Sequence, residues 1–130
     1  MTLPPYAETL GVRVEETADG PIVVMPSGDD VLGREGFIHG GAIAGLLEIA
    51  GLVALGAVLA EDGDERPRIK PVTVTVDFRR GGRLVETRAS GSVTRLGNRI
   101  ANVDAVAWQE DRAKPIATAR MNVLLDRGER

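Results

Sequence analysis

The chain of 130 residues contains no cysteine and a single histidine, His39. Without cysteine, disulfides, iron–sulfur clusters, thiolate zinc sites and thiol nucleophiles are all excluded. One histidine also excludes a multi-histidine metal site within one chain. Aromatic residues make up only 3% of the sequence while 43% is hydrophobic, so the core must be assembled from Val, Leu, Ile and Ala. Excess positive charge is lacking too. The formal net charge is -3 and the sequence pI about 5.2, which argues against nucleic acid as a bulk electrostatic partner. The arginines can still form a local anion site, because net charge says nothing about clustering. The opening "MTLPPYAETL" has neither a basic segment nor an apolar core of the signal-peptide kind, so a cytoplasmic location is expected. No repeat, low-complexity tract or internal linker interrupts the sequence, and residues 1–130 read as one domain.

What the chain does have is one long apolar run, "GFIHGGAIAGLLEIAGLVALGAVLA", from Gly36 to Ala60. From Gly40 onward it is about the ~20 residues that a bilayer span needs. Against a span stand Glu48 near its middle, its many glycines and alanines, and the lack of a basic cluster at either end. A helix buried in a core, running from about Gly41 to Ala60, is the expected structure, and no membrane association is expected. Gly63 and Pro67 in "EDGDERP" end it.

The rest of the chain reads as strands. Val12 and Val14 alternate with Arg13 and Glu15, Asp19-Gly20-Pro21 signals a turn, and Ile22 to Met25 is an apolar run. In "PVTVTVDFRR", Val72, Val74, Val76 and Phe78 share one face, so a half-buried strand is expected. Gly81-Gly82 turns the chain. Two extended segments follow, Arg83 to Arg95 and Arg99 to Gln109, joined at the hairpin signal Gly97-Asn98. "IATARMNVLL" alternates as a last strand. Short turns between successive strands imply an antiparallel sheet, and one helix against one sheet gives a two-layer α+β domain. Since the helix is apolar nearly all round, its own sheet covers only part of it, and a second copy of the chain is the simplest cover for the rest. Gly45, Gly51 and Gly56 each cost about 1 kcal/mol in a helix interior relative to alanine. Two explanations stand: close approach of a partner's backbone, or a fit beneath the protein's own strands.

Two features can do chemistry. The "HGG" at the start of the helix offers unpaired N–H groups where glycine lets a ligand come close, a place to polarise a carbonyl on which negative charge develops. Glu48 lies two turns further on, on nearly the same face as Gly41. A lone carboxylate there is either functional or held in an ion pair by an arginine. No G-x-S-x-G elbow accompanies Ser27, Ser90 or Ser92, and "GREGFIHGG" lacks the Lys-Ser/Thr of a phosphate-binding loop.

The stretch "GFIHGGAIAGLLE" resembles the H-G-G-x(6)-D/E signature of the PaaI-like hotdog-fold acyl-CoA thioesterases. "PVTVTVDFRR" resembles the strand after their central helix, and residues 83–125 resemble their last three strands. This resemblance implies a hotdog fold, in which a curved antiparallel sheet of five to six strands wraps one long helix. It implies hydrolysis of an acyl-CoA thioester with no cofactor and no metal, in a homodimer with two sites at the interface. Such dimers often pair into tetramers. The Gly40 backbone N–H corresponds to the donor that polarises the thioester carbonyl. Glu48 corresponds to the acidic nucleophile or general base, supplied by the opposite subunit. His39 and Gly41 fall among the site-lining residues. Arg95, Gly97 and Arg99 match a turn that contacts the coenzyme A nucleotide in some members, and Thr73 or Thr75 matches a hydroxyl near the acid. Two departures stand out. Gly33 occupies the position, six residues before the histidine, where members often carry Asn or Gln, and "RRGG" replaces the usual Arg-Pro after Phe78. A non-catalytic acyl-CoA-binding or small-ligand-binding hotdog protein is the alternative. A hotdog hydratase is a third, but no second acid–base pair supports it.

Overall fold

The computed structural model describes residues 3–64 and 68–126. The long helix, α2, spans Gly40–Glu61. It starts one residue before and ends one residue after the expected range. A short helix α1 (Pro5–Leu10) precedes it, together with strands β1 (Arg13–Thr17) and β2 (Gly20–Met25). After it come β3 (Arg68–Phe78), β4 (Thr87–Leu96), β5 (Ile100–Trp108) and β6 (Ala117–Asp126). Helix α1 was not expected from sequence. Proline at its first turn and Gly11 in the left-handed conformation (φ 71°) bound its six residues.

The local chemistry of both ends of α2 is visible in the sequence. His39 caps the N-terminus, its Nδ1 accepting the Gly41 N–H at 2.8 Å. At the C-terminus Gly63 adopts φ 90°, the Asp64 N–H donates to the Leu59 carbonyl (2.9 Å), and the Gly63 N–H donates to the Ala60 carbonyl (3.0 Å). That is the Schellman arrangement, which the flexible backbone of Gly63 makes accessible. Pro67, the other expected helix stop, lies outside the described residues.

All six strands form one antiparallel sheet in the order β1-β2-β4-β5-β6-β3. Bulges between Pro71 and Thr73 and between Val93 and Arg95 bend it round the helix. Its inner face is strikingly small in side chains for a core, with Ala89, Ala101, Ala105, Ala107, Ala117 and Ala119 all buried, and so it lies close to α2. The scarcity of aromatics is met by short distance rather than by bulk. Two apolar clusters result, one around Ile43, Leu46, Leu47 and Met25, the other around Leu52, Leu55, Leu59 and Val103. By length and composition α2 is apolar enough to cross a bilayer, but 72% of its apolar window is buried inside the protein.

The contacts decide between the two explanations for two of the helix glycines. A Cβ on Gly51 would strike the Met121 side chain, and one on Gly45 would stand 2.6 Å from the Tyr6 ring on α1. Both glycines therefore admit groups of their own chain. The half-buried face expected for β3 needs correction. Val72 is 52% exposed and Phe78 55%, and Val74 is also open, because β3 is an edge strand paired only with β6. Its apolar alternation is real, yet one protomer does not cover it.

Candidate active site

The start of α2, the loop before it and the end of β3 enclose an open cavity of about 520 Å³. Gly33, Arg34, Phe37, His39, Gly40 and Phe78 line it, with Ile38, Ile43, Arg79, Arg80, Gly81 and Gly82. The loop is pinned by backbone bonds: the His39 N–H donates to the Val31 carbonyl (2.8 Å) and the Ile38 N–H to the Gly82 carbonyl (2.9 Å). This holds the helix entry in place independently of any ligand.

Within the first turn of α2 the donors are not equivalent. The Gly41 N–H is taken by His39 Nδ1, which leaves Nε2 of the neutral ring as the nitrogen that carries the proton. The Ala42 and Ile43 N–H groups donate to the His39 carbonyl at 3.0 and 3.2 Å. Among the described residues the Gly40 N–H has no acceptor. It opens into the cavity at the positive end of the helix dipole. A Cβ on Gly40 would stand 3.4 Å from Phe78 Cζ, so glycine keeps the approach to this donor open beneath the ring.

Glu48 sits on the same helix, half-buried, and its carboxylate has no hydrogen bond or ion pair among the described residues. The ion pair with an arginine that sequence left open is not found there. At 1.5 Å per residue, the eight residues from Gly40 to Glu48 separate the two by about 12 Å along the axis. Reacting groups need to approach to about 3–3.5 Å. One chain therefore does not bring its own Glu48 to a carbonyl bound at its own Gly40.

Gly33 lines the cavity, but with no room for a side chain. A Cβ there would stand 2.8 Å from His39 Cα and 2.9 Å from His39 N, both backbone atoms. Thr73 and Thr75 lie on the outer face of β3, in register with Asn122 and Arg120, away from α2. Arg95, Gly97 and Arg99 sit at the β4–β5 turn. That turn continues from Val93 and Leu96, which pack against Leu52, Leu55 and Leu59 in the second half of the helix. Within one protomer these residues are at the far end from Gly40. Of Asp30, Arg34 and Glu35, which the sequence offers as substitutes for a polar side chain at Gly33, only Arg34 lines the cavity, while Phe37, Phe78, Arg79 and Arg80 are not marked by the sequence as site residues. They become neighbours only because the end of β3 returns to the start of α2.

The family model of the thioesterase superfamily matches residues 35–116, from the loop before α2 to the start of β6. No curated protein matches the sequence. Among solved structures, a protein from Chromobacterium violaceum is 32% identical, with 96% of this chain and 85% of that one covered and a TM-score of 0.72. A mutant thioesterase from Pseudomonas aeruginosa is 25% identical, covering 92% of this chain and 84% of that one, with a TM-score of 0.77. A protein from Bacillus halodurans, solved with CoA, is 19% identical over 97% of this chain and 81% of its own, with a TM-score of 0.80, and shares the fold. The match covers well over half of the chain and its fold is the one that the signature implies: the protein belongs to the thioesterase superfamily, with the hotdog architecture of one helix wrapped by one antiparallel sheet.

Proposed function

We propose that the protein is an acyl-CoA thioesterase whose active site is completed by a second copy of the chain. The observation that carries this reading is the pair of unsatisfied groups on α2. The Gly40 N–H has no acceptor, and the half-buried Glu48 carboxylate has no partner, about 12 Å away along the same helix. Thioester hydrolysis needs a donor for the developing oxyanion and a base or nucleophile, with no metal. In a two-fold dimer with antiparallel helices, Gly40 of one subunit meets Glu48 of the partner subunit.

The thioester carbonyl oxygen accepts the Gly40 N–H, and its carbon is attacked either by a water that Glu48 deprotonates or by the Glu48 carboxylate itself. In the first case a C–O bond forms to the water oxygen and the C–S bond breaks. The coenzyme leaves as a thiolate and recovers the proton that Glu48 holds. In the second, the carboxylate displaces the coenzyme thiolate as the C–S bond breaks, giving an acyl-enzyme anhydride; water then cleaves it to the free acid and the Glu48 carboxylate, and the proton released balances the thiolate. His39, whose Nε2 carries the proton, lines the same cavity as a neutral donor.

Turnover of an acyl-CoA panel, followed with a thiol reagent, tests this. Glu48→Gln is expected to lower the rate by at least a hundredfold with unchanged molecular mass in solution. Equal rates for variant and wild type refute it. A second reading, a non-catalytic acyl-CoA binder, is favoured by one observation, that position 33 has no room for the polar side chain common there in the family. It predicts saturable acyl-CoA binding with no thiol released.

A further inference from the structure

The cavity at Gly40 has a charge pattern that thioester hydrolysis alone does not require. Two arginines, Arg34 and Arg80, line it with no Asp or Glu among the lining residues, and Arg79 stands at its rim. In a chain of net charge -3 this is a local concentration, not a reflection of composition. Among the described residues none of the three forms an ion pair within 4.0 Å. Arg34 lies over the Phe37 ring, its Cζ 4.6 Å from the centroid. Arg79 donates from Nε to Thr118 Oγ1 at 3.3 Å, which turns its guanidinium toward a second hollow lined by Asp77 and Asp104 and leaves Arg34 and Arg80 as the cations of the cavity. Arg80 also borders a smaller hollow with Glu110 and Asp111, but Glu110 is held by Arg83. The site thus combines one carbonyl-polarising donor, two phenyl rings and unneutralised cations that favour a planar oxyanion group.

We propose that this cavity recognises a free carboxylate at the far end of the acyl group, so that the preferred substrates are CoA thioesters of short diacids. The inference rests on the thioesterase reading for the placement of the thioester at Gly40. Size selects the acyl side as the source of the charge. A cavity of about 520 Å³ is roughly 8 Å across. A five-carbon diacid puts its free carboxylate on the order of 5 Å from the thioester carbon, at ~1.5 Å per C–C bond. The phosphates of coenzyme A lie at the far end of the pantetheine arm, beyond the width of the cavity. The phenyl rings of Phe37 and Phe78 then flank the methylene chain between the two charged ends.

The test compares glutaryl-CoA with pentanoyl-CoA, which share a chain length and differ in the carboxylate. Turnover is measured on wild type and Arg80→Met, and binding by calorimetry on Glu48→Gln protein, where hydrolysis does not interfere. Glutaryl-CoA is expected to be favoured about tenfold in both, the ratio falling toward one in Arg80→Met. The preference should persist with N-acetylcysteamine thioesters, which carry no phosphate. Equal affinity of Glu48→Gln protein for the two CoA esters, or no binding of either, overturns the inference. So does an Arg80→Met defect that is the same for both esters and absent with the cysteamine thioesters, which would assign the cations to the coenzyme phosphates. If wild type releases no thiol from either ester, the catalytic reading fails by itself, and the binding ratio still decides the carboxylate.

Discussion

Restoring a polar side chain at position 33 is the obvious way to make this chain more like its family, and the structure predicts that it fails. The obstacle is the first side-chain atom. A Cβ at residue 33 would stand 2.8 Å from His39 Cα, 2.9 Å from His39 N and 3.1 Å from the Ile38 carbonyl carbon. Gly33 does not lie at positive φ, so the restriction is steric and not conformational. The neighbours cannot retreat cheaply. The His39 N–H is bonded to Val31, the Ile38 N–H to Gly82, and the Gly33 N–H itself to the Phe37 carbonyl at 2.9 Å. Overpacking of this kind costs about 1–3 kcal/mol. With 130 residues, an unfolding entropy of ~2.1 cal/mol/K per residue gives about 0.27 kcal/mol/K, so the midpoint should fall by about 4–11 °C. Gly33→Ala should lose nearly as much as Gly33→Gln, because the Cβ is the offending atom. Both should also lower turnover, since the displaced backbone carries the Gly40 donor. Gly28→Ala is the control: a Cβ there meets nothing within 4 Å, and the change should stay within about 0.5 kcal/mol. Thermal unfolding followed by circular dichroism measures all three. If Gly33→Gln melts within a degree of wild type and hydrolyses faster, the steric argument is wrong.

Other perturbations probe the packing, the proposed dimer and the surface charges. A Cβ on Gly91 would stand 2.8 Å from both the Ala50 carbonyl oxygen and Gly51 Cα, so Gly91→Ala should push β4 off α2 at a cost of about 1–3 kcal/mol, read by urea denaturation. Gly45→Ala meets side chains alone, Leu10 Cδ1 at 3.3 Å and the ring of Tyr6, which is 47% exposed and can swing away, so its loss should be smaller. Val74→Arg, on the open face of β3, should halve the mass found by light scattering and abolish turnover; unchanged mass and turnover refute pairing through that strand. Glu15 has its carboxyl held below the usual value of 4.5 by hydrogen bonds from Arg88 and Arg13. A folded pKa below the unfolded one stabilises above the unfolded pKa and is lost as pH falls through the folded one. Glu15→Gln should therefore lower the midpoint at neutral pH, leave it nearly unchanged in strong acid, and so flatten the fall of a midpoint-against-pH curve below about pH 4.5.

What the sequence made legible were the features whose causes are local. The limits of α2 follow from an apolar run that stops where Gly63 can turn left-handed, β6 follows from strict alternation, and β5 from the hairpin signal at Gly97-Asn98. Helix α1 was missed because six residues beginning at a proline carry too little periodicity to register. The exposure of β3 was misjudged because alternation reveals a face but not whether the strand has a neighbour on both sides. The same limit applied at the site. Gly40 and Glu48 were conspicuous, as backbone freedom at a helix start and as a charge without company. Phe78, Arg79 and Arg80 were not, because their role depends on a long-range meeting between the end of one strand and the start of one helix. Gly33 looked like a missing functional group. It is a place where two backbone segments touch.

The two edges of the sheet bear on how the site is completed. At one edge β1 is five residues long and carries Arg13 and Glu15, which bond to each other and on to Glu86 and Arg88. A short, charged edge discourages pairing with another chain. At the other edge β3 is eleven residues long, with Val72, Val74 and Phe78 exposed and one row of backbone groups unpaired. An edge of that kind invites a partner. A sheet that blunts one edge and leaves the other open has an asymmetry that a two-fold contact through β3 would remove. The same contact bears on the chemistry. Phe78 belongs both to the open strand and to the cavity at Gly40, so whatever pairs with β3 also approaches that cavity. Under the proposed dimer, packing of this edge and completion of the site would be a single event. It would supply the carboxylate that one helix, with the two groups about 12 Å apart along its axis, cannot bring to its own donor.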